Sequence, residues 1–203
     1  MPKISLTKNE LKIQKDTLKR FNRYLPMLQL KKQQLQIEII RIDGQIRELD
    51  GQIKSSEQKI DSWVDVFAEE AGLANLFKLA KVNTDLGNIA GMDIPLFKSA
   101  QFEQLDYDYI SVPLWVDYAI DALKQIMVLK VQALVFKRQQ SVLREELRIT
   151  TQRVNLFEKV KIPEAIKNIG VIQIHLGDLQ TANVVRGKIA KAKIEEKQHL
   201  LSV

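Results

Sequence analysis

Residues 7–67 read TKNELKIQKDTLKRFNRYLPMLQLKKQQLQIEIIRIDGQIRELDGQIKSSEQKIDSWVDVF, and the spacing of the apolar residues in this stretch decides the fold. Leu11, Leu18, Phe21, Leu25, Leu28, Leu35, Ile39, Ile42, Ile46, Leu49, Ile53, Ile60, Trp63 and Phe67 follow one unbroken alternation of three and four residues. Gln14, Lys32 and Ser56 are the exceptions, so fourteen of seventeen seam positions are apolar. A seam sustained over that many heptads specifies a coiled coil. At about 1.5 Å of rise per residue, a helix from Thr7 to the mid-70s is expected to run roughly 100 Å.

The start of this helix is written in the sequence. Thr7 and Glu10 stand at the spacing of a capping box, and Leu6 and Leu11 occupy the two positions of a hydrophobic staple. Pro26 falls inside the pattern, but the register continues unchanged after it, which predicts a kink and not a stop. Gly44 and Gly51 sit in the helix interior, at a cost of roughly 1 kcal/mol each relative to alanine.

Around Glu70 to Phe77 the register fades, and the segment to Pro113 changes character. Gly72, Gly87, Gly91 and Pro95 punctuate this part of the chain, and two short strands, Val82 to Leu86 and Ile89 to Phe97, are expected around a Gly87-Asn88 turn with Pro95 at an edge position. Asp106, Tyr107, Asp108 and Tyr109 make an acidic, aromatic link into Pro113. A second helix opens near Trp115, with Val116, Ile120, Leu123, Met127, Val131 and Leu134 marking one face and Val142, Ile149, Leu156 and Val160 following less strictly. Pro163 interrupts it, and Ile166, Ile169, Ile172, Leu176 and Leu179 resume the stripe.

These elements predict an all-α chain, a long antiparallel two-helix coiled-coil hairpin with a small β-hairpin or loop segment at the bend. The expected divisions are 1–75 for the first helix, 76–114 for the bend and 115–203 for the second helix. If residue 75 faces about residue 115, facing residues sum to about 190, which sets Pro26 and Pro163 at one height.

Charge follows the same plan. The net charge is +6, but residues 1–35 carry +7 and residues 186–203 carry +3, while residues 61–121 carry −8. A hairpin of this kind has a basic end and an acidic end, and such a field governs partner choice and association rate. The chain has no cysteine, which removes disulfides and thiolate metal sites and suits a reducing cytoplasmic setting. The longest apolar runs, Ile126 to Leu129 and Ala133 to Phe136, are far too short to span a bilayer, and no apolar secretory core opens the chain.

Catalytic patterns are missing from the sequence. No metal-ligand set is read at His175 or His199, whose helical neighbours Asp178 and Glu195-Glu196 read as a partly polar helix end, and there is neither a phosphate-binding glycine loop nor a nucleophile elbow. Glu145 and Glu146 are adjacent, about 100° apart on a helix, and read as a solvated face. No enzyme activity, cofactor or metal is therefore expected of this chain alone. The basic ends lack the aromatics interleaved with Lys and Arg that single-stranded nucleic acid requires, and a packed hairpin leaves no apolar face for a membrane surface. A basic tip meeting an acidic protein cavity fits better.

Three segments carry a resemblance to a known family. Leu6-Thr-Lys-Asn-Glu-Leu11 with the Lys-rich helix after it, Asn88-Ile-Ala-Gly91-Met-Asp-Ile-Pro95, and Arg153-Val-Asn-Leu-Phe-Glu158 with Val160-Lys-Ile-Pro163 resemble, in the same order, segments of the D subunit of V-type and A-type ATPases, the central rotor shaft. The second is similar to that family's N-I-A-G-V-x-V-P and the third to its R-V-N-A-L-E-x-V-x-I-P. The chain departs from the pattern at Gln152 and between Leu179 and Gly187, where Val184 and Val185 stand in place of a common Phe pair.

The resemblance implies a non-catalytic shaft that couples ATP hydrolysis or synthesis in a ring of A and B subunits to rotation of a membrane ring and ion transport. It implies a location on the cytoplasmic side, peripheral to the membrane and without insertion. Ring contact would fall to Lys12, Lys15, Lys19, Arg20, Arg23, Arg153, Lys159, Lys161 and Lys167, and torsional stiffness to the seam, Leu18, Phe21, Leu25, Leu28, Leu35, Ile39, Ile42, Ile46, Leu49 and Ile53. Asn88, Ile89, Ala90, Gly91, Met92 and Pro95 would meet the remaining rotor partners, the F subunit and the socket subunit, C or d, that joins the shaft to the membrane ring. The competing reading is a free-standing coiled-coil scaffold or tether, and a third is a basic, membrane-curving hairpin.

Overall fold

The computed structural model describes residues 4–61, 77–104 and 115–201. Trp63, Phe67 and the Asp106–Tyr109 link lie outside the described residues. Helix α1 runs Lys8–Asp61, strands β1 (Phe77–Ile89) and β2 (Met92–Gln104) form an antiparallel hairpin, and α2 spans Trp115–Leu156. A π-helical turn, Phe157–Lys161, joins α2 to α3, Ile162–Leu201. The fold is the expected helical hairpin with a small two-stranded sheet between its arms. It divides into two compact units, residues 1–30 with 151–203, and residues 31–150.

The cap forms as its residue types dictate. The Glu10 N–H donates to Thr7 Oγ1 at 3.2 Å and the Leu11 N–H to the Thr7 carbonyl at 3.0 Å. Glu10 does not reach back to complete the box. Its Oε1 instead accepts from Gln14 Nε2 at 2.8 Å. Pro26 lies inside α1, which continues through it. The proline withholds one donor from the Asn22 carbonyl, and both residues are exposed, which leaves that group open to solvent.

Every seam position from Leu11 to Ile60 is at least half-buried, Gln14, Lys32 and Ser56 included. Six seam residues, Leu35, Ile39, Ile42, Ile46, Leu49 and Ile53, are buried. Burying each such side chain is worth about 1.5–3 kcal/mol.

In the unit of residues 31–150, α1 and α2 pack antiparallel. Leu49 and Ile53 pack against Leu129, Ala133 and Phe136, while Leu35 to Ile46 pack against Phe136, Leu143 and Leu147. Asp43–Arg144, Asp50–Lys137 and Glu57–Lys130 ion pairs flank this seam. The seam on α2 therefore runs Ile126, Leu129, Ala133, Phe136, Gln140, Leu143, Leu147, Thr150, with facing core positions whose numbers sum to about 182 and not 190.

This corrects the face read for the second helix. Leu134, Leu156 and Val160 are exposed. Val116, Ile120, Leu123 and Met127 do form a stripe, but it packs with Phe77 and Phe102 of the β-hairpin. Helix α2 carries two stripes for two partners, and the seam toward α1 includes Ala133, Gln140 and Thr150, which hydrophobic spacing passes over.

The β-hairpin is longer than expected and its turn lies elsewhere. Gly87 pairs with Ile94 inside the ladder, and the loop is Ala90-Gly91. Both loop residues have positive φ, 52° and 78°, the geometry of a two-residue type I′ connection that matches strand twist. Asn88 braces it, accepting from the Gly91 N–H at 3.1 Å and donating to Asp93 Oδ1 at 2.9 Å. At Gly87 a Cβ would come within 2.7 Å of the exposed Leu96 side chain, which would have to swing aside to admit one. The hairpin tip folds back onto the helices. Ile94 is 1% exposed and joins the core cluster of Leu35, Ile39, Ile42, Ile46 and Leu143, and Gln139 Nε2 donates to the Pro95 carbonyl at 2.5 Å.

In the unit of residues 1–30 and 151–203, Phe21 and Phe157 meet with ring centroids 5.1 Å apart. Gln14, Thr17 and Phe21 line one groove with Lys161, Glu164, Ala165 and Asn168. Pro163 itself lines a groove with Glu10 and Gln14, so it stands at least five residues along α1 from Pro26, or more than roughly 7 Å. The two prolines are not at one height, because the interlocking of seam side chains, and not the midpoint of the bend, sets the register. Pro163 does not end the helix either. The chain passes through the π-helical turn and continues helical to Leu201.

Candidate functional site

Helix α1 turns its apolar seam inward, which fixes where its charges point. Lys12, Lys15, Lys19, Arg20 and Arg23 all fall off the seam and are all exposed. On the other arm of the same unit Arg153, Lys159, Lys161 and Lys167 are exposed too. Lys161 sits 3.5 Å from Glu164, and Arg20 donates to Thr17 Oγ1 at 3.2 Å. None of the other seven makes an ion pair with another described residue. All nine cations named from the sequence thus lie in one unit and are exposed.

The six bend residues are placed in the other unit and divide by role. Ile89, Ala90 and Met92 pack against the core cluster around Leu35 to Ile46, while Asn88 and Gly91 are exposed. Pro95 is half-buried and tied to Gln139. Gln34, Ile37 and Glu38 line a groove with Asn88, Ile89 and Ala90. Sequence reasoning passed over the exposed apolar residues here. Ile37 and Ile40 on α1, and Leu86 and Leu96 on the strands, all face solvent. The signal for the first two was present, since both are apolar residues off the heptad seam.

Helix α3 exposes a further set, Ile174, Val184, Val185, Ile189 and Ile194. Among the described residues no group of three His, Cys, Asp or Glu side chains is arranged to hold a metal ion. No helix among them is long and apolar enough to cross a membrane.

The molecule is thus an antiparallel helical-hairpin protein whose distinctive chemistry lies on exposed faces. The profile of the family described as the ATP synthase D subunit matches residues 10–192. The D subunit of the V-type ATP synthase of Borreliella burgdorferi is 46% identical over 197 residues, covering 97% of this chain and 98% of that protein. The corresponding D subunit of Chlamydia caviae is 33% identical over 198 residues, covering 96% and 95%, and that of Chlamydia pneumoniae 34% over 195 residues, covering 95% and 93%. The chain belongs to the family of ATP synthase D subunits.

Proposed function

We propose that this chain is the central rotor shaft of a V/A-type rotary ATPase, a non-catalytic component that couples the A/B catalytic ring to rotation of the membrane ring and so to ion transport. The observation that carries this reading is the seam, in which no position from Leu11 to Ile60 is exposed. Interlocked knobs and holes resist twisting of one helix about the other, which torque transmission requires.

The exposed cations of the unit that holds both chain ends are the ring-contact candidates. An asymmetric shaft touches otherwise equivalent catalytic interfaces differently, so turning it shifts their conformational populations in sequence. The F subunit and a socket subunit, C or d, take the remaining surfaces, with Asn88 to Pro95 among the contacts. The chain works on the cytoplasmic side as a peripheral part of the complex.

Affinity isolation of the tagged chain from its own cells at moderate salt tests the reading. Co-purification with A and B subunits, a small F-like chain and ATPase activity is the expected result. Recovery of the chain alone or as a homodimer, under conditions that preserve rotary complexes, supports a free-standing scaffold instead.

A further inference from the structure

The heptad frame of the second arm contains one surplus residue. Up to Phe157 its half-buried and buried positions keep sevenfold spacing, as in Ala133, Gln140, Leu147 and Val154, and in Phe136, Leu143, Thr150 and Phe157. Beyond Ile162 they again recur by seven, as in Ile162, Ile169 and Leu176, and in Ala165 and Ile172. Across the junction both series step by eight, Val154 to Ile162 and Phe157 to Ala165. Helix α1 has no matching interruption.

The π-helical turn is where the extra residue goes. The Ile162 N–H donates to the Phe157 carbonyl, one residue further back than in an α-helix. Without that insertion, Lys161, Glu164 and Asn168 would rotate onto the seam in place of Ile162, Ala165 and Ile169. Pro163 follows at once and supplies no N–H, so the hydrogen-bond ladder is thinned on the same turn. No residue of the turn is buried. Its first residue, Phe157, packs on Phe21, and the turn lies between buried Val154 on one side and buried Ala165 and Ile172 on the other.

We propose that Phe157–Pro163 is a compliant joint, at which the second arm takes up a one-residue slip and a small twist against α1 while the seam on either side stays closed. A stretch with a weakened ladder and no buried side chain opens locally at low cost, whereas its flanks open only when packing is lost. The joint is a property of the chain itself and does not depend on the rotor reading.

Amide hydrogen exchange of the purified full-length chain tests it. Amides of 158–162 are expected to exchange at least tenfold faster than those of 150–154 and 168–172. Deleting exposed Glu158 restores sevenfold spacing, and this variant is expected to keep its helicity, melt no lower than the parent and lose the fast-exchanging patch. Exchange equal to the flanks in the parent, or fast exchange that survives the deletion, overturns the joint. If the deletion variant does not fold, Pro163→Ala, which restores an N–H without changing length, carries the test: slowed exchange across 158–162 supports the joint and unchanged exchange overturns it.

Discussion

Arg144 Nη2 lies 3.4 Å from Asp43 Oδ1, and the same pairing recurs one heptad along in each helix, as Lys137–Asp50 at 4.0 Å and Lys130–Glu57 at 2.8 Å. In these three pairs the acid stands on α1 and the base on α2, at the position that follows the seam, while Lys31–Glu146 at 2.6 Å has the opposite sense. Exposed pairs contribute little each, about 0.2–1 kcal/mol, but a one-heptad slip keeps only two of the three. Asp50→Lys is therefore expected to lower stability by less than about 1 kcal/mol, and Lys137→Glu added to it to recover most of that loss. Urea melts at low and high salt read both effects, and the difference should shrink with salt.

Leu35 and Leu143 are both 0% exposed and share one cluster. Truncating either to alanine is expected to cost about 2–5 kcal/mol. Ile37→Ala, two residues away and exposed, should change stability by no more than about 0.5 kcal/mol. Leu35→Asp and Ile42→Asp each bury a charge in the seam, and both helicity and ATP-coupled transport by an assembled complex are expected to fall together. Retained coupling with a melted mid-helix would remove the seam as the torque carrier.

Ala90 holds φ at 52° without being glycine. Asparagine tolerates that region better than alanine and is the favoured first residue of a type I′ turn. Ala90→Asn is thus expected to raise stability by about 0.5 kcal/mol, and Gly91→Ala, at φ 78°, to lower it by about 1 kcal/mol. Thermal melts of the two variants should move in opposite directions.

Gln139 is 2% exposed and its amide is the tie between α2 and the β-hairpin at Pro95. Gln139→Leu leaves that carbonyl without its donor, an expected cost of about 1–3 kcal/mol. The loss should localise. Amide exchange is expected to rise across Asn88 to Leu96 and to stay unchanged at Leu49 to Ile53.

The Glu145 carboxyl is held below its ordinary range, chiefly by the hydrogen bond from Arg148 at 2.6 Å, and the same bond raises Arg148. A carboxyl depressed in the folded state adds stability above its unfolded value and loses it as pH falls through the folded value. In Arg148→Gln the Glu145 titration followed by carboxyl carbon shifts should move up. Stability at neutral pH should barely change, because the pair is exposed.

Helix α1 was legible from the sequence because its signal is local and redundant. Thr7 alone supplies the cap, and an apolar period repeated over many heptads points one way whatever it packs against. Its six buried residues are all seam residues named from spacing. The five exposed cations of α1 followed from the same frame, as positions off the seam. What each of them touches in a complex is a property of the partner surface, and sequence spacing holds no information on it.

Tertiary structure decided the rest. Ala133, Gln139 and Thr150 are buried on α2 because a neighbouring helix or strand closes over them, and neither small size nor an amide or hydroxyl marks that in advance. The stripe at Val116 to Met127 was visible in the sequence, but periodicity measures only that a face is apolar, not which element covers it. The covering strands arrive from residues 77–104, and the ladder they form closes at Ala90-Gly91. A period along one helix is encoded in that helix, whereas a register between two elements exists only once both have packed.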